Sequence, residues 1–374
     1  MKTLLVEHRE DLVSGTLRTR EDWVENSEGR GGDGRIPVGV VGTGGMGGMH
    51  AHCLHRKVAG ARVAAVSDLD AGRAGKVAGE CGSAAVFGDA VEMIRDDRVE
   101  AVVIASPDPT HAELVLECLR LGKPVLCEKP LATSPEEALG IVEAEVEVGR
   151  KLVQVGFMRR YDPQHVDVKN VAASGSIGEP VLFKGLHRNA QIPPGVDSEW
   201  VVINAAIHDL DSARWMLDAE VEEVFVRGLN TTGSSEGEFD LQVIQLSMAG
   251  GSLAMIEVNV DAGFGYEVGV EVVGVSGTAH TASPSGAVVR LDRASSQNVD
   301  ADWLDRFEPA YTIELQKWVE SINSGLPPAP DAWDGYASLV VAGACIASIR
   351  SGNPEGVTVP DKPDLYEKEG AVAR

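Results

Sequence analysis

Two hydrophobic rhythms divide this chain. Between Ile36 and Phe157, short runs that are apolar nearly throughout alternate with stretches of helical spacing. The runs at 36–41, 63–66, 101–105, 125–127 and 151–157 have the texture of strands covered on both faces. Helices are predicted over 45–59, from Thr110 to Gly122, and from Ser134 onward. Thr110 and Glu113 have the spacing of a capping box, Gly122 is a C-terminal stop, and Ser134-Pro135 supplies a cap and a first-turn proline. Strands alternating with helices imply a parallel sheet with right-handed crossovers.

Beyond Phe157 the pattern changes. Helices are predicted over 163–174 and 201–217, then four β-rich segments over 222–229, 239–248, 252–260 and 267–275. Gly250-Gly251 reads as a hairpin turn between two of them, and helices over 308–324 and 333–350 follow. The expected result is an α+β domain with a largely antiparallel open sheet, one face of which is free for a ligand or another subunit. The expected division is an arm and Gly-rich linker at 1–35, an α/β domain at 36–157, the α+β domain at 158–350 and a tail at 351–374.

Composition narrows the partners. The 57 acidic and 33 basic residues give a net charge of −24, a surface that repels nucleic acid and anionic membranes. No apolar run is read as approaching the roughly 20 residues of a membrane span, and the N-terminus lacks a signal-peptide core. Cys53, Cys81, Cys118, Cys127 and Cys345 form no CxxC pair and sit among core residues, as small hydrophobes of a reducing compartment do. The cytoplasm is the expected location.

The chemistry concentrates at the carboxyl ends of the predicted strands, where open α/β sheets bind ligands. Gly42-Thr43-Gly44-Gly45-Met46-Gly47 is a G-x-G-x-x-G that follows a strand and opens a helix, the context of a Rossmann dinucleotide site. Glycines there allow the tight turn, the approach of backbone to pyrophosphate and the packing of helix on strand, while the helix N-terminus offers N–H groups to phosphate. Asp68 ends the second strand, placed to accept the ribose hydroxyls; no arginine directly follows it, which predicts NAD over NADP. Ser106 and Pro107 follow the strand at 101–105 and are expected to line the dinucleotide, and His111 either joins them or only caps the next helix. Lys129, in Cys127-Glu128-Lys129-Pro130, projects over the same crevice, where an ammonium can hold a substrate hydroxyl. His50, His52 and His55 on the first helix read as packing residues, and no metal is expected.

These residues together resemble the Gfo/Idh/MocA oxidoreductase family, whose hallmark is a Glu-Lys-Pro motif after a Rossmann half. Glu128-Lys129-Pro130 and the later Ile207-His208-Asp209-Leu210-Asp211 agree with it over roughly residues 36–350. Gly156-Phe157-Met158-Arg159-Arg160-Tyr161-Asp162 and His187-Arg188-Asn189 are most similar to the inositol 2-dehydrogenases. The resemblance implies that Glu128 belongs to the cofactor side and that catalysis uses a lysine, an acid, and a histidine four residues later. Lys129 and His208 fill the outer places, with Asn204 where the family has Asp. Asn204 and His208, at i and i+4 of one predicted helix, share a face.

In the mechanism so implied, His208 takes the hydroxyl proton as general base, Lys129 steadies the developing alkoxide, and hydride passes to NAD to leave a ketone. Asn204 orients the imidazole or binds substrate, and Asp211 is a candidate for the missing charge. Arg159, Tyr161, His187, Asn189 and Tyr266 are the further expected contacts to the ring of a cyclitol or sugar. Alternatives within the family are an anhydrosugar or amino-sugar oxidoreductase or an NAD-dependent glycosidase; outside catalysis, an NAD-binding regulator. A homodimer or homotetramer is expected.

Overall fold

The computed structural model describes residues 34–191, 195–231, 238–282 and 288–367. The expected N-terminal arm and most of the Gly-rich linker lie outside the described residues. In chain order the first elements are β1 (Ile36–Val41), α1 (Gly45–Arg56), β2 (Ala61–Ser67), α2 (Ala71–Glu80), β3 (Ala85–Phe87) and α3 (Ala90–Arg95). Then come β4 (Ala101–Ile104), α4 (His111–Arg120), β5 (Val125–Cys127), α5 (Pro135–Val148) and β6 (Val153–Val155). All pairings among these strands are parallel, in the order β3-β2-β1-β4-β5-β6. Every residue of β1, β4, β5 and β6 is buried, which explains their unbroken apolar runs.

Side-chain caps fix where the helices begin. Asp70, Asp89 and Ser134 accept N–H bonds from Arg73, Glu92 and Glu137, each three residues on. The expected capping box at Thr110 does not form. Residues Asp108–Thr110 make a 3-10 turn instead, and the Thr110 hydroxyl donates to the Pro107 carbonyl.

The remaining elements are α6 (Pro163–Ala173), β7 (Pro180–Arg188), α7 (Ser198–Val201), α8 (Ile207–Leu217), β8 (Val221–Leu229), β9 (Leu241–Met248) and β10 (Leu253–Asn259). They continue with β11 (Glu267–Gly274), β12 (Gly277–His280), a small hairpin of β13 (Val289–Leu291) and β14 (Ala294–Ser296), α9 (Trp303–Ser324), α10 (Ala332–Ser351) and β15 (Glu355–Gly356). The second sheet runs β12-β11-β7-β10-β9-β8-β15, and only β7 with β10 is parallel. Burial alternates along β9, β10 and β11, so one face packs on helices. The other face carries the ion pairs Lys184–Glu271 and Arg188–Glu257 beside half-exposed Leu253 and Met255. A cavity of about 520 Å³ opens on that face.

The chain forms two compact units that are not contiguous in sequence: 1–156 with 311–336 and 360–374, and 157–310 with 337–359. This corrects the expected division in two places. Leu315, Trp318, Val319 and Ile322 of α9 pack into the first unit's core with Ile36, Val38 and Val40. The expected tail also folds back: Tyr366 is 2 % exposed and its hydroxyl donates to Glu145 Oε2 at 2.5 Å. Helix α10 is a further correction. It is long and apolar enough to span a membrane by length and composition, with mean hydropathy 1.4, yet it is 61 % buried within the protein. Its Val341, Ala342 and Cys345 join the core of the second unit.

Glu145 makes the first unit sensitive to pH. The carboxyl is wholly buried, and burial pushes it from an ordinary 4.5 up to about 7 against the bonds from Tyr366, Leu152 and Val153. A raised acid binds its proton more tightly when folded, so its contribution to stability is intact below pH 4.5 and is lost as pH rises through about 7. The decline is at most about 1.4 kcal/mol per pH unit. Thermal unfolding between pH 5 and 8 should therefore show a falling Tm that Glu145→Gln flattens; an equal slope in the variant would locate the sensitivity elsewhere.

Candidate active site

In the first unit the glycine turn is shaped by contact distances. Gly42 has φ +80°, and a Cβ there would lie 2.5 Å from the Ala105 carbonyl oxygen. A Cβ on Gly47 would lie 1.9 Å from the Gly42 oxygen, so helix α1 can start only with glycine at that point. At Gly44 and Gly45 a Cβ would meet no atom within 4 Å. These two, with Met46, form the open side of the turn, where free backbone N–H groups suit a pyrophosphate. The residues therefore fit a dinucleotide.

Asp68 follows β2 at the edge of this turn. Its Oδ2 accepts from Thr43 N and Thr43 Oγ1, both at 2.7 Å. Burial alone would raise the carboxyl, but Arg73 and the Asp70 and Thr43 donors hold it well below the usual carboxylate range. It is a fixed negative charge at the edge of the turn. No arginine directly follows Asp68, but one arrives from α2: Arg73 grips it through Nε at 3.1 Å and Nη2 at 2.7 Å. An arginine five residues on was missed because only the positions directly after Asp68 were weighed.

Ser106 and Pro107 follow β4, with the Ser106 hydroxyl 2.6 Å from that of Thr110. His111 is 1 % exposed and its ring nitrogens lie 2.7 Å from the Pro130 carbonyl and 2.9 Å from the Ser106 carbonyl. It braces the turns after β4 and β5. Glu128 is tied down in the same way. It turns inward to the His50 Nε2 at 2.7 Å, and a Cβ on Gly156 would strike it at 2.8 Å. The carboxylate thus ties the turn that carries Lys129 to helix α1. Lys129 itself is half-buried, and its N–H donates to Glu128 Oε2 at 3.3 Å.

In the second unit the expected helix 201–217 is interrupted. Residues Val202–Ala206, Asn204 among them, form a π turn between α7 and α8. Such turns widen the helix locally and recur at functional sites. His208 lies in the first turn of α8, 7 % exposed, with its ring edge-on to Phe157 at 6.1 Å between centroids. Asp211 gives both oxygens to Arg160, at 2.6 and 3.0 Å, so Arg160 balances the charge once considered for His208.

A buried polar cluster lies beside them. Arg159 Nη1 donates to Asp209 Oδ1 at 2.6 Å, and the side chains are 1 % and 0 % exposed. His187 Nδ1 is 3.1 Å from both Asp209 Oδ2 and Arg159 Nη2. Arginine cannot accept, so one tautomer donates to Asp209 and the other receives from Arg159. Burial opposes ionisation of Asp209, but the Arg159 charge and the His187 bond keep its carboxyl below the ordinary value. Tyr266 is 4 % exposed and packs edge-on to His187 at 6.0 Å.

Arg159, His187 and Tyr266, expected as contacts to the substrate ring, are all buried within the unit, and the first two bond to Asp209. Sequence reasoning gave no role to Asp209, the centre of this cluster, because it read the residue only as part of the motif Ile207–Asp211. Tyr161 is half-buried at the end of the 3-10 turn Met158–Tyr161. Asn189 differs: its Oδ1 is buried without a hydrogen-bond partner, an acceptor suited to a ring hydroxyl.

Comparison with known proteins agrees with both halves. Residues 36–157 match the Gfo/Idh/MocA oxidoreductase family's NAD-binding Rossmann fold, and 169–359 match its C-terminal alpha/beta domain. An inositol 2-dehydrogenase of Rubrobacter xylanophilus is 63 % identical over 345 residues, covering 92 % of this chain and 99 % of the relative. Inositol 2-dehydrogenase 1 of Saccharopolyspora erythraea is 46 % identical over 333 residues, 88 % of this chain and 99 % of that one. The solved structure of the myo-inositol dehydrogenase from Lactobacillus casei, in complex with NAD(H) and myo-inositol, superposes with a TM-score of 0.85 at 32 % identity, covering 89 % of this chain and all of that one.

The buried ion pair gives a direct test of this geometry. Asp209→Asn leaves the Arg159 guanidinium enclosed without a counter-charge, which should cost about 3–5 kcal/mol in urea unfolding. A loss below about 1 kcal/mol would mean that Arg159 is solvated rather than enclosed.

Proposed function

The chain belongs to the Gfo/Idh/MocA oxidoreductase family, and from that premise we propose that it is an NAD-dependent dehydrogenase oxidising a ring hydroxyl of a cyclitol of the myo-inositol kind to a ketone. The observation that carries the reading is the retention of Lys129 and His208 together with a glycine turn open at Gly44 and Gly45. The inositol 2-dehydrogenases that match nearly their whole length support the substrate class. NAD, when bound, accepts a hydride from the carbon that carries the alcohol.

The chain's own residues do the rest. His208 takes the hydroxyl proton, and burial beside Phe157 keeps water from competing for it. Lys129 Nζ donates to the same oxygen and stabilises charge as it develops. Asn204 is neutral, so it holds the substrate or the imidazole by hydrogen bonding and adds no charge. Asn189 Oδ1 accepts from a neighbouring ring hydroxyl, and Tyr161 borders the ring. The Arg159–Asp209–His187 cluster holds the start of α8, and with it His208, in place.

Three finer readings go with this one. NAD is preferred over NADP because the Asp68 carboxylate repels a 2′-phosphate. The protein is a homodimer or homotetramer, supported by the open sheet face with Leu253 and Met255 exposed on it. Five buried free cysteines support a cytoplasmic location.

NADH release measured over a panel of inositol isomers, hexoses and anhydrosugars should show activity on at least one inositol; tight NAD binding with no turnover on any polyol would contradict the reading. Lys129→Ala and His208→Ala should each lower kcat by about 100-fold or more with NAD affinity nearly unchanged. Asn204→Asp, which restores the family's acid, should alter the rate or the substrate profile, and no change in either would put residue 204 outside the chemistry.

A further inference from the structure

The Asp68 carboxylate is saturated with donors. Oδ2 faces Thr43 N, Thr43 Oγ1 and Arg73 Nε at 2.7, 2.7 and 3.1 Å; Oδ1 faces Asp70 N and Arg73 Nη2 at 2.9 and 2.7 Å. A carboxylate offers about four acceptor positions, and this one has five donors directed at it. To accept a ribose hydroxyl it must release one. The two backbone donors are fixed, Thr43 N in the glycine turn and Asp70 N at the cap of α2. Arg73 is the donor free to leave: its side chain is 48 % exposed, against 6 % for Asp68. Among the described residues its only other ion-pair partner is Asp70, at 3.9 Å.

We propose that Arg73 is a ready-made ligand for the 2′-phosphate of a phosphorylated dinucleotide, held in check by Asp68. This deepens the NAD preference proposed above and rests on it. When a dinucleotide binds, the ribose hydroxyls displace the guanidinium from Asp68. The side chain stays anchored at the third position of α2, close to the ribose edge that carries either a hydroxyl or a phosphate. The carboxylate rejects a 2′-phosphate and the guanidinium attracts it, so the preference is the difference between two opposed charges a single side chain apart. An arginine is suited to this because its planar fork binds phosphate oxygens in pairs. One substitution at Asp68 is then enough to turn the site toward the phosphorylated cofactor.

The test is a direct binding measurement, by the fluorescence of NADH and NADPH on titration with protein, so it needs no turnover. Wild type, Asp68→Ser, Arg73→Ala and the double variant are compared, with Asp68→Asn as the isosteric check on folding. Asp68→Ser and Asp68→Asn should bind NADPH about tenfold or more tightly than wild type, a gain of the size expected of a charge-assisted bond. The double variant should lose that gain. The proposal is overturned if neither Asp68 variant gains affinity while still binding NADH, or if the gain survives removal of Arg73. Equal affinity of wild type for the two nucleotides would instead refute the NAD preference. In that case Arg73→Ala alone decides: selective loss of NADPH binding supports Arg73 as the phosphate ligand, and unchanged NADPH binding overturns it.

Discussion

The close approach of three backbone segments governs the first unit. The carbonyls of Ala105 and Gly42 come so near to residues 42 and 47 that only hydrogen fits where a Cβ would stand. This lets helix α1 start directly against the ends of β1 and β4, with its first N–H groups turned to the open side at Gly44 and Gly45. The neighbouring parts follow from that position. Asp68 is held by Thr43 of the same turn, and Glu128 reaches His50 of the same helix. His111 then links the turn after β4 to the turn after β5. The backbone dictates a cofactor cradle, and the side chains around it mostly brace one another.

The second unit solves a different problem, the burial of charge. Arg159 and Asp209 are wholly enclosed, and such a pair costs too much desolvation to be explained by stability alone. Its effect is positional. Asp209 follows His208 directly, so fixing the one carboxylate fixes the start of α8, and His187 on β7 is fixed with it. The π turn at Val202–Ala206 precedes this anchored point and carries Asn204. A local widening of the helix at that place sets where Asn204 stands relative to His208 more than the i, i+4 spacing of a regular helix would.

The buried parallel strands and the glycine turn were legible because each rests on local sequence: unbroken apolar runs, caps, and glycines where no side chain fits. Strand β7 was not legible, although it lies between β10 and β11. Lys184, His187 and Arg188 break its apolar pattern because they serve the open face or the buried cluster. Helix α2 went unseen because Gly72, Gly75 and Gly79 dilute its helical pattern, and strand β3 because it is only three residues long. The split of α9 between units was hidden because periodicity shows that a face is buried but not against what. At the site, the sequence offered candidate residues, but long-range pairing decided which of them point inward. Glu128, His111, Arg159, His187 and Tyr266 are all buried, a property set by partners as many as 78 residues away in the case of Glu128.

The central claim is that an ammonium and an imidazole act on one alcohol oxygen. It is tested most directly by a crystal structure of the protein with NAD and the inositol isomer that gives the highest rate. The account predicts Lys129 Nζ and His208 Nε2 both within about 2.6–3.2 Å of the same ring hydroxyl, directly or through one water. A productive complex in which only one of the two reaches that oxygen, or neither does, would contradict it.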